Sequence, residues 1–455
     1  MIFDTLVIGS GIAGLCAALE AKGRVAVATQ MKPTQVLSSM AQGGINAAIG
    51  KGDSPEKHAE DTLKAGGGLA DGTVVRVLCE NAPEAISWLE KMGAPFSRDD
   101  HGKPAIRRMG GHSLPRTIYA QDYTGLKILH TLYDQALKKG VVFLHDRQLV
   151  SVFSGGAVLA HRGRIEAIGA GAVILATGGY AGLYAQGGTN GAFSTGEALI
   201  AAANAGCELE RLHFVQFHPT ALKSGHLISE AARGAGGILI DQRGERFTDE
   251  LGPRDAVSRA VYERVSRGEP VFLDLRALGE GAIEKLLPQE RKLAKLHAGV
   301  DLAHEIVPVQ PAAHYSMGGI RVDANGFTGV AGIFACGECA STRVHGANRL
   351  GGNSLLEAVV FGRIAGQRAQ GEAASDVTLE DERQKAKPAQ ASPATRRETA
   401  RILTQYAGVV RDEAGLKTAL DRVRALQGAE LAARLIESAL NDRTSCGAHC
   451  RKDYP

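Results

Sequence analysis

The chain of 455 residues has little that would mark it for nucleic acid, a membrane or a disulfide scaffold. Aromatic residues make up only 5%, with a single Trp, and the net charge is +3, so neither a base-stacking platform nor a strong phosphate-binding footprint is present. Nucleic acid is not an expected partner. No run approaches the roughly 18 to 20 consecutive apolar residues that span a bilayer. Met1 leads straight into a strand-like segment without a charged n-region and apolar h-region, so a cytoplasmic location is expected. The seven cysteines (Cys16, Cys79, Cys207, Cys336, Cys339, Cys446, Cys450) are odd in number and scattered, which argues for reduced thiols. Cys336 and Cys339 have the spacing of half a zinc or redox site, which Cys446 and Cys450 could nominally complete. Small buried residues beside a glycine turn are the favoured reading, and no metal is expected.

Glycine is abundant: 57 of 455 residues, about one in eight, with no collagen period. Hydrophobic residues at 44% and charged residues at 22% are a globular composition, so the glycines must sit at defined turns. Length alone implies about three domains. Phe3 to Ile8 reads as an apolar strand, followed by Gly9-Ser-Gly11-Ile12-Ala13-Gly14, a helix from Leu15 to Lys22 and a second strand from Val25 to Ala28. Strand, glycine turn, helix and strand within about 30 residues form the dinucleotide-binding context. Gly9 permits the tight turn, Gly11 lets a pyrophosphate approach the backbone, and Gly14 allows close helix packing, with the anion facing the helix N-terminus. The acid expected at the end of the second strand is replaced by Thr29-Gln30; a hydroxyl still bonds a ribose.

Helical patterns occupy Lys57 to Lys64, Thr73 to Met92 and Leu126 to Lys139, and short strands follow at Val141 to Leu144, Leu149 to Phe153 and Ala157 to Leu159. The strand Ala172 to Ala176 ends in Thr177-Gly178-Gly179, a further glycine turn in a glycine-dense region that includes the cluster at 182–191. A helix at Glu197 to Ala205 and a strand at His213 to Phe217 come next. Residues 221–310 carry more charge and fewer sheet signals, with helices near Pro253 to Ser266 and Ala282 to Ala298, as expected of an inserted domain. Glycine turns resume at Gly318-Gly319, Gly337 and Gly351-Gly352, then a helix from Ser354 to Gln370. An Ala, Ser, Pro, Glu and Lys rich stretch at 371–393 reads as a linker, and a charged helical tail from Thr395 to Asn441 closes the chain.

Five segments set His or Arg beside glycine or a hydroxyl: Phe217-His218-Pro-Thr220, Ser229-Glu230-Ala-Ala-Arg233, Leu251-Gly-Pro-Arg254-Asp255, Ala313-His314-Tyr-Ser-Met-Gly-Gly319 and His345-Gly-Ala-Asn-Arg349. Taken singly, each reads as a cap or a surface ion pair. Gathered beside a dinucleotide turn, they suit a substrate with two carboxylates, because Arg forks match carboxylates bidentately.

These motifs, with Ala41-Gln42-Gly43-Gly44-Ile45, Ala176-Thr177-Gly178-Gly179 and the tail Cys446-Gly-Ala-His-Cys-Arg-Lys-Asp-Tyr-Pro455, resemble the flavoprotein subunit of succinate dehydrogenase or fumarate reductase. The resemblance implies an α/β fold: a Rossmann-like FAD-binding domain (1–220 and 314–371), an inserted α+β capping domain (221–313), and a linker with a C-terminal helical region (372–455). It implies that Gly9, Gly11, Ile12, Ala13 and Gly14 hold the pyrophosphate end of FAD. Gln42, Gly43, Gly44, Thr177, Gly178, Glu338, Arg349, Ser354 and Leu355 would lie along the rest of the cofactor. His218, Ser229, Glu230, His314 and Arg349 match dicarboxylate-binding residues, with Ser229 in place of the usual Thr. Arg254 matches the proton donor, and Glu230 with Arg233 the relay that recharges it; an i,i+3 ion pair is the alternative for those two. An iron-sulfur subunit, and through it a membrane-associated quinone-reactive subunit, are the implied partners.

Three departures stand out. Gln35-Val36-Leu37-Ser38-Ser39-Met40 holds no His where relatives join the flavin covalently, so FAD is expected to be noncovalent. Arg233-Gly-Ala-Gly-Gly237 replaces a stretch that usually carries Glu, and the chain stops at Pro455 where many relatives continue. L-aspartate oxidase, a homologue that forms iminoaspartate, is the alternative; it is expected to place a Glu where Met109 precedes Gly110-Gly-His-Ser113. A second alternative is an electron-transfer module active only within an iron-sulfur assembly.

Overall fold

The computed structural model describes residues 1–187, 189–191, 194–369, 378–387 and 391–454. Its main sheet has seven strands. Val142–His145, Val25–Thr29, Ile2–Ile8 and Arg164–Leu175 run parallel side by side, and Ile333–Ala335 pairs in parallel with the end of Arg164–Leu175. That strand is 12 residues long and serves three partners. Its first half pairs antiparallel with Gly156–His161, which pairs with Gln148–Phe153, and its second half pairs with Ile2–Ile8. The parallel strands are near-continuous apolar runs because both their faces are covered.

One face packs on the helices Ile12–Glu20, Gly72–Met92, Thr124–Lys139 and Asn353–Arg368, through a core that includes Val7, Leu15, Leu78, Leu129 and Leu356. Two of these helices touch backbone to backbone: a Cβ on Gly366 would lie 2.2 Å from the Ala17 carbonyl oxygen. The other face meets the chain's last three helices, Pro393–Tyr406, Glu413–Arg424 and Glu430–Asn441. Their apolar stripes (Ile402, Leu403, Leu416, Leu435, Ile436) share one core with Phe3 and Leu6. The expected charged tail is thus three amphipathic helices whose charged faces alone reach solvent.

Val215–Ala221, Val307–Ser316, Val271–Asp274 and Ile238–Ile240 form a four-stranded antiparallel sheet. With Arg254–Val265, Glu280–Leu286 and Pro288–Ala298 it encloses a separate core around Leu239, Val257, Leu273, Ile283 and Val307, hereafter the capping lobe. The expected boundaries at 221 and 313 fall inside the strands Val215–Ala221 and Val307–Ser316, which pair with each other and lead from one core to the other. The helix expected over Ala282 to Ala298 is two helices, because Pro288 has no N–H and turns Leu287 out of helical geometry (φ −136°, ψ 38°). The short strands at 238–240 and 271–274 were not legible as strands at all. Within the 371–393 stretch, 371–377 and 388–390 lie outside the described residues, and Leu379–Lys385 is a short helix. Gln370, expected to end the preceding helix, is also outside them. The 182–191 glycine cluster begins in a 3-10 turn at Ala181–Gly187, with residue 188 not described. Among the described residues no helix is long and apolar enough to cross a membrane.

Candidate active site

A long cleft runs from the glycine turn after Ile2–Ile8 to the inner edge of the capping lobe. At its first end Gly9, Gly11, Ile12 and Ala13 line the wall. Gly9 has φ +114° and stands so close to the next strand that a Cβ would fall 2.2 Å from the Ala176 carbonyl oxygen. Gly14 does not reach the cleft; it packs beneath the turn, where a Cβ would sit 2.0 Å from the Gly9 oxygen. Thr29 lines the cleft where an acid was expected, its hydroxyl bonded to Ser10 Oγ (3.0 Å) and the Met31 carbonyl. The helix Ile12–Glu20 starts without a side-chain cap on Gly11, and Asn353–Arg368 likewise on Gly352, so two helix N-termini open onto this cleft. Each favours an anionic or electron-rich group.

Midway, Gln42, Gly43 and Gly44 line one wall and Thr177, Gly178, Glu338, Ser354 and Leu355 the other. Arg107, absent from the sequence reading, fixes the first wall by donating to the carbonyls of Gln42 (3.2 Å) and Gly43 (2.6 Å). Glu338 accepts from the Ser316 N–H (3.0 Å) and hydroxyl (2.9 Å), and burial raises it to about 7. Gln42 Oε1 and Thr177 Oγ1 are buried with no protein partner. Buried polar atoms are rarely left unpaired, so orphans on both walls, two helix N-termini facing the cleft and glycine-lined backbone fit a long polar cofactor such as FAD.

At the capping end the structure brings together His218, Ser229, Glu230, Arg254, His314 and Arg349. Arg254 forks onto Glu230, with Nε to Oε2 at 2.7 Å and Nη2 to Oε2 at 2.5 Å, and its Nη1 donates to Gln216 Oε1 at 3.1 Å. Glu230 Oε1 accepts the Gly110 N–H at 2.7 Å. Burial alone would raise the Glu230 carboxyl, but Arg254 and Arg233 overcome it and hold it at about 2. His218 and His314 stand edge to face, 5.2 Å between ring centres, and burial followed by the nearby cations keeps both far below the usual histidine range. His218 Nδ1 accepts the Thr220 N–H, which leaves the proton on Nε2 as a donor. Arg349 lies over the Tyr315 ring at 4.3 Å; burial, then Arg254, lowers it to about 9, and its Nε has no partner. The Tyr315 hydroxyl donates to Glu357 (2.6 Å), which also holds His345 and Thr342.

Arg233, like Gly14, is a predicted site residue that does not line the cleft. It is fully buried behind Glu230, its Nη1 donates to the Glu250 carbonyl at 2.5 Å, and Nε and Nη2 are unpartnered. No hydrogen bond or ion pair joins it to Glu230, which bonds Arg254 and Gly110; Arg233 acts on Glu230 through its charge. Gln216 was missed although it precedes His218 by two residues and so shares its strand face.

Cys336 and Cys339 are buried beside the cleft, and the Cys339 thiol donates to the Leu175 and Cys336 carbonyls. Burial raises both thiols, Cys339 to about 11. The tail folds back on the chain: Arg411 N–H donates to the Cys450 carbonyl, and Ala448 N–H to Ala347. Among the described residues one group of possible metal ligands stands together, His213, Asp442 and His449. Its ring nitrogens are occupied by Ser438, Asp442 and Arg411, and the buried Arg411 guanidinium against His449 opposes a cation.

A Rossmann-like sheet with a glycine turn, a capping lobe, and a polar cleft between them define an FAD-dependent oxidoreductase, and residues 4–355 match the FAD binding domain family. The chain belongs to the family of fumarate reductase flavoprotein subunits and L-aspartate oxidases. It is 42% identical over 403 residues to the 8-methylmenaquinol:fumarate reductase flavoprotein subunit of Wolinella succinogenes, covering 82% of this chain and 66% of that one. It is 38% identical over 462 residues to the L-aspartate oxidase of Streptomyces coelicolor, covering 93% and 79%. A solved quinol fumarate reductase structure from E. coli superposes with a TM-score of 0.93 at 32% identity, over 99% of this chain and 91% of that one.

Proposed function

We propose that the chain interconverts succinate and fumarate, with noncovalently held FAD. Bound FAD supplies or takes the hydride. His218 Nε2, the Ser229 hydroxyl and Arg349 hold the two carboxylates. Arg254 supplies or takes the proton at the neighbouring carbon through the terminal N–H bonds that Glu230 and Gln216 leave free. Glu230 is ionised, so it orients and stabilises the recharged guanidinium and is not itself the acid. Polarising one carboxylate draws electron density from the C=C bond, and the buried cations strengthen that pull in a water-poor site.

The observation that carries this reading over aspartate oxidation is Met109. It is 1% exposed, lines the cleft, and would touch a Cβ on Gly43 at 3.2 Å. Beside it the carboxylate of Glu230 is already spent on Arg254 and Gly110, so this end of the cleft offers no free acid for a substrate ammonium. The missing flavin-linking His at 35–40 and the identity to an L-aspartate oxidase favour the second reading. A paired assay decides: reduced viologen with fumarate against aspartate with oxygen. Fumarate turnover is expected; aspartate oxidation without fumarate reduction overturns the proposal. An iron-sulfur subunit is the proposed electron partner, and its copurification would distinguish a complex subunit from a free-standing oxidase.

A further inference from the structure

Behind the substrate end of the cleft, where the capping lobe meets the nucleotide lobe, Glu290 has no solvent contact. It stands in the first turn of Pro288–Ala298. Its Oε1 meets the Ser229 N–H at 3.1 Å and also the Ser229 hydroxyl, while Oε2 has no partner. From the nucleotide lobe, Asp122 accepts the Glu290 N–H at 2.9 Å, and its own Oδ1 is unpartnered. Arg107 is the cation that faces the pair, but its hydrogen bonds go to the Gln42, Gly43 and Gln121 carbonyls. Glu230, next to Ser229 in the chain, turns to Arg254 instead. Two acids therefore share a dry interface with no cation bonded to either. Burial, then Asp122, raises Glu290 to about 8, and burial raises Asp122 to about 6.

We infer that Glu290 is a positioning residue for the dicarboxylate: it is protonated in the binding-competent state, and its proton decides which way the Ser229 hydroxyl points. This rests on the proposed dicarboxylate reading. Ser229 has one hydroxyl proton and lines the cleft beside Arg254 and His218. When Glu290 is ionised, Oε1 accepts that proton, and Ser229 turns only lone pairs toward an anionic substrate. When Glu290 is an acid, its O–H donates to Ser229 Oγ, and the serine proton is released toward the substrate carboxylate. Proton gain by Glu290 from solvent is the only net change. No sequence motif marks Glu290, because its effect reaches the substrate through a residue 61 positions away.

The test is malonate binding to the FAD-loaded protein, followed by the flavin absorbance across a pH series. Wild-type affinity is expected to be flat below about 8 and then to weaken about tenfold per pH unit. In Glu290→Gln the amide donates to Ser229 Oγ at every pH, so the weakening that begins near about 8 in the wild type is expected to be absent. A merely structural Glu290 would shift affinity equally at all pH values. The inference is overturned if the wild type shows no loss between about 8 and about 9, or if the variant keeps the wild-type onset. The wild-type arm decides alone if the variant does not fold. If malonate, succinate and fumarate all leave the wild-type flavin unperturbed, the dicarboxylate reading falls, and this inference with it; malonate binding with an unchanged onset removes only the inference.

Discussion

Replacing Arg254 by Ala separates what the Arg254–Glu230 pair does for the fold from what it does for the reaction. Glu230 is 1% exposed, and its carboxyl is held at about 2 against an ordinary 4.5, which corresponds to about 3 kcal/mol at neutral pH. The sign follows from the direction: a carboxyl depressed in the folded state stabilises it above about 4.5, and that contribution is lost as pH falls toward about 2. Without Arg254, burial acts on Glu230 with the Arg233 charge and the Gly110 N–H left to oppose it. Arg254→Ala is expected to weaken the fold at neutral pH by about 3 kcal/mol, at the low end of the roughly 3 to 5 kcal/mol for a buried charge stripped of its partner. Adding Glu230→Gln removes the stranded charge and keeps an acceptor for the Gly110 N–H, so most of the stability returns. Turnover does not return. Loss of the proton donor is expected to cost about 100- to 10,000-fold in both variants. Urea midpoints measure the first effect, fumarate reduction by reduced viologen the second, and the flavin spectrum confirms that cofactor is retained. Near-normal turnover by Arg254→Ala removes Arg254 from the donor role. A double variant no more stable than the single one refutes the charge argument.

Acid precipitation is expected to release yellow FAD into the supernatant, because 35–40 offers no His to bond it; a yellow washed pellet contradicts this. His58 and His112 are buried, bonded to Asn353 and to the Gly351 carbonyl respectively, and burial lowers both to about 4. Their folded values lie below the unfolded 6.5, so their contribution is complete above about 6.5 and shrinks as pH falls toward about 4. Each weakens the fold by about 2 kcal/mol at about pH 5 relative to neutral. Urea midpoints at the two pH values measure it, and His112→Gln should remove about half of the difference; an unchanged slope sinks the assignment.

The nucleotide lobe was legible because its signals are local. Apolar runs such as Ala172 to Ala176 end directly in glycine turns, and Gly9 must be glycine for reasons of φ and close approach that act within a few residues. Most substrate-end residues were legible as motifs. What was not legible depends on distance in sequence: Arg107 reaches a wall 64 residues upstream, and Gly110 donates to an acid 120 residues on. Arg233 shows the converse limit. Sequence spacing put it beside Glu230 on one helix turn, but the carbonyl of Glu250 offered the guanidinium a partner that no spacing rule contains. The tail was legible as charged and helical, but its apolar stripe is visible as a stripe only once the three helices are cut at 407–412 and 425–429.

The loop at 107–112 explains why cofactor and substrate chemistry are coupled in this fold. Arg107 pins the Gln42–Gly43 wall, Met109 packs toward Gly43, and the Gly110 N–H holds the acid that holds Arg254. A Cβ on Gly110 would lie 2.4 Å from Glu230 Oε1, so even alanine there would push the acid off the arginine. One short loop of the nucleotide lobe therefore sets both the cofactor wall and the orientation of a capping-lobe cation. On the proposed reading, substrate preference is decided where that loop touches the cleft: Met109 adds no carboxylate there, and Glu230 is already paired with Arg254. A carboxylate at 109 would stand beside Glu230 as a second buried anion, and only a substrate bringing its own cation would relieve it.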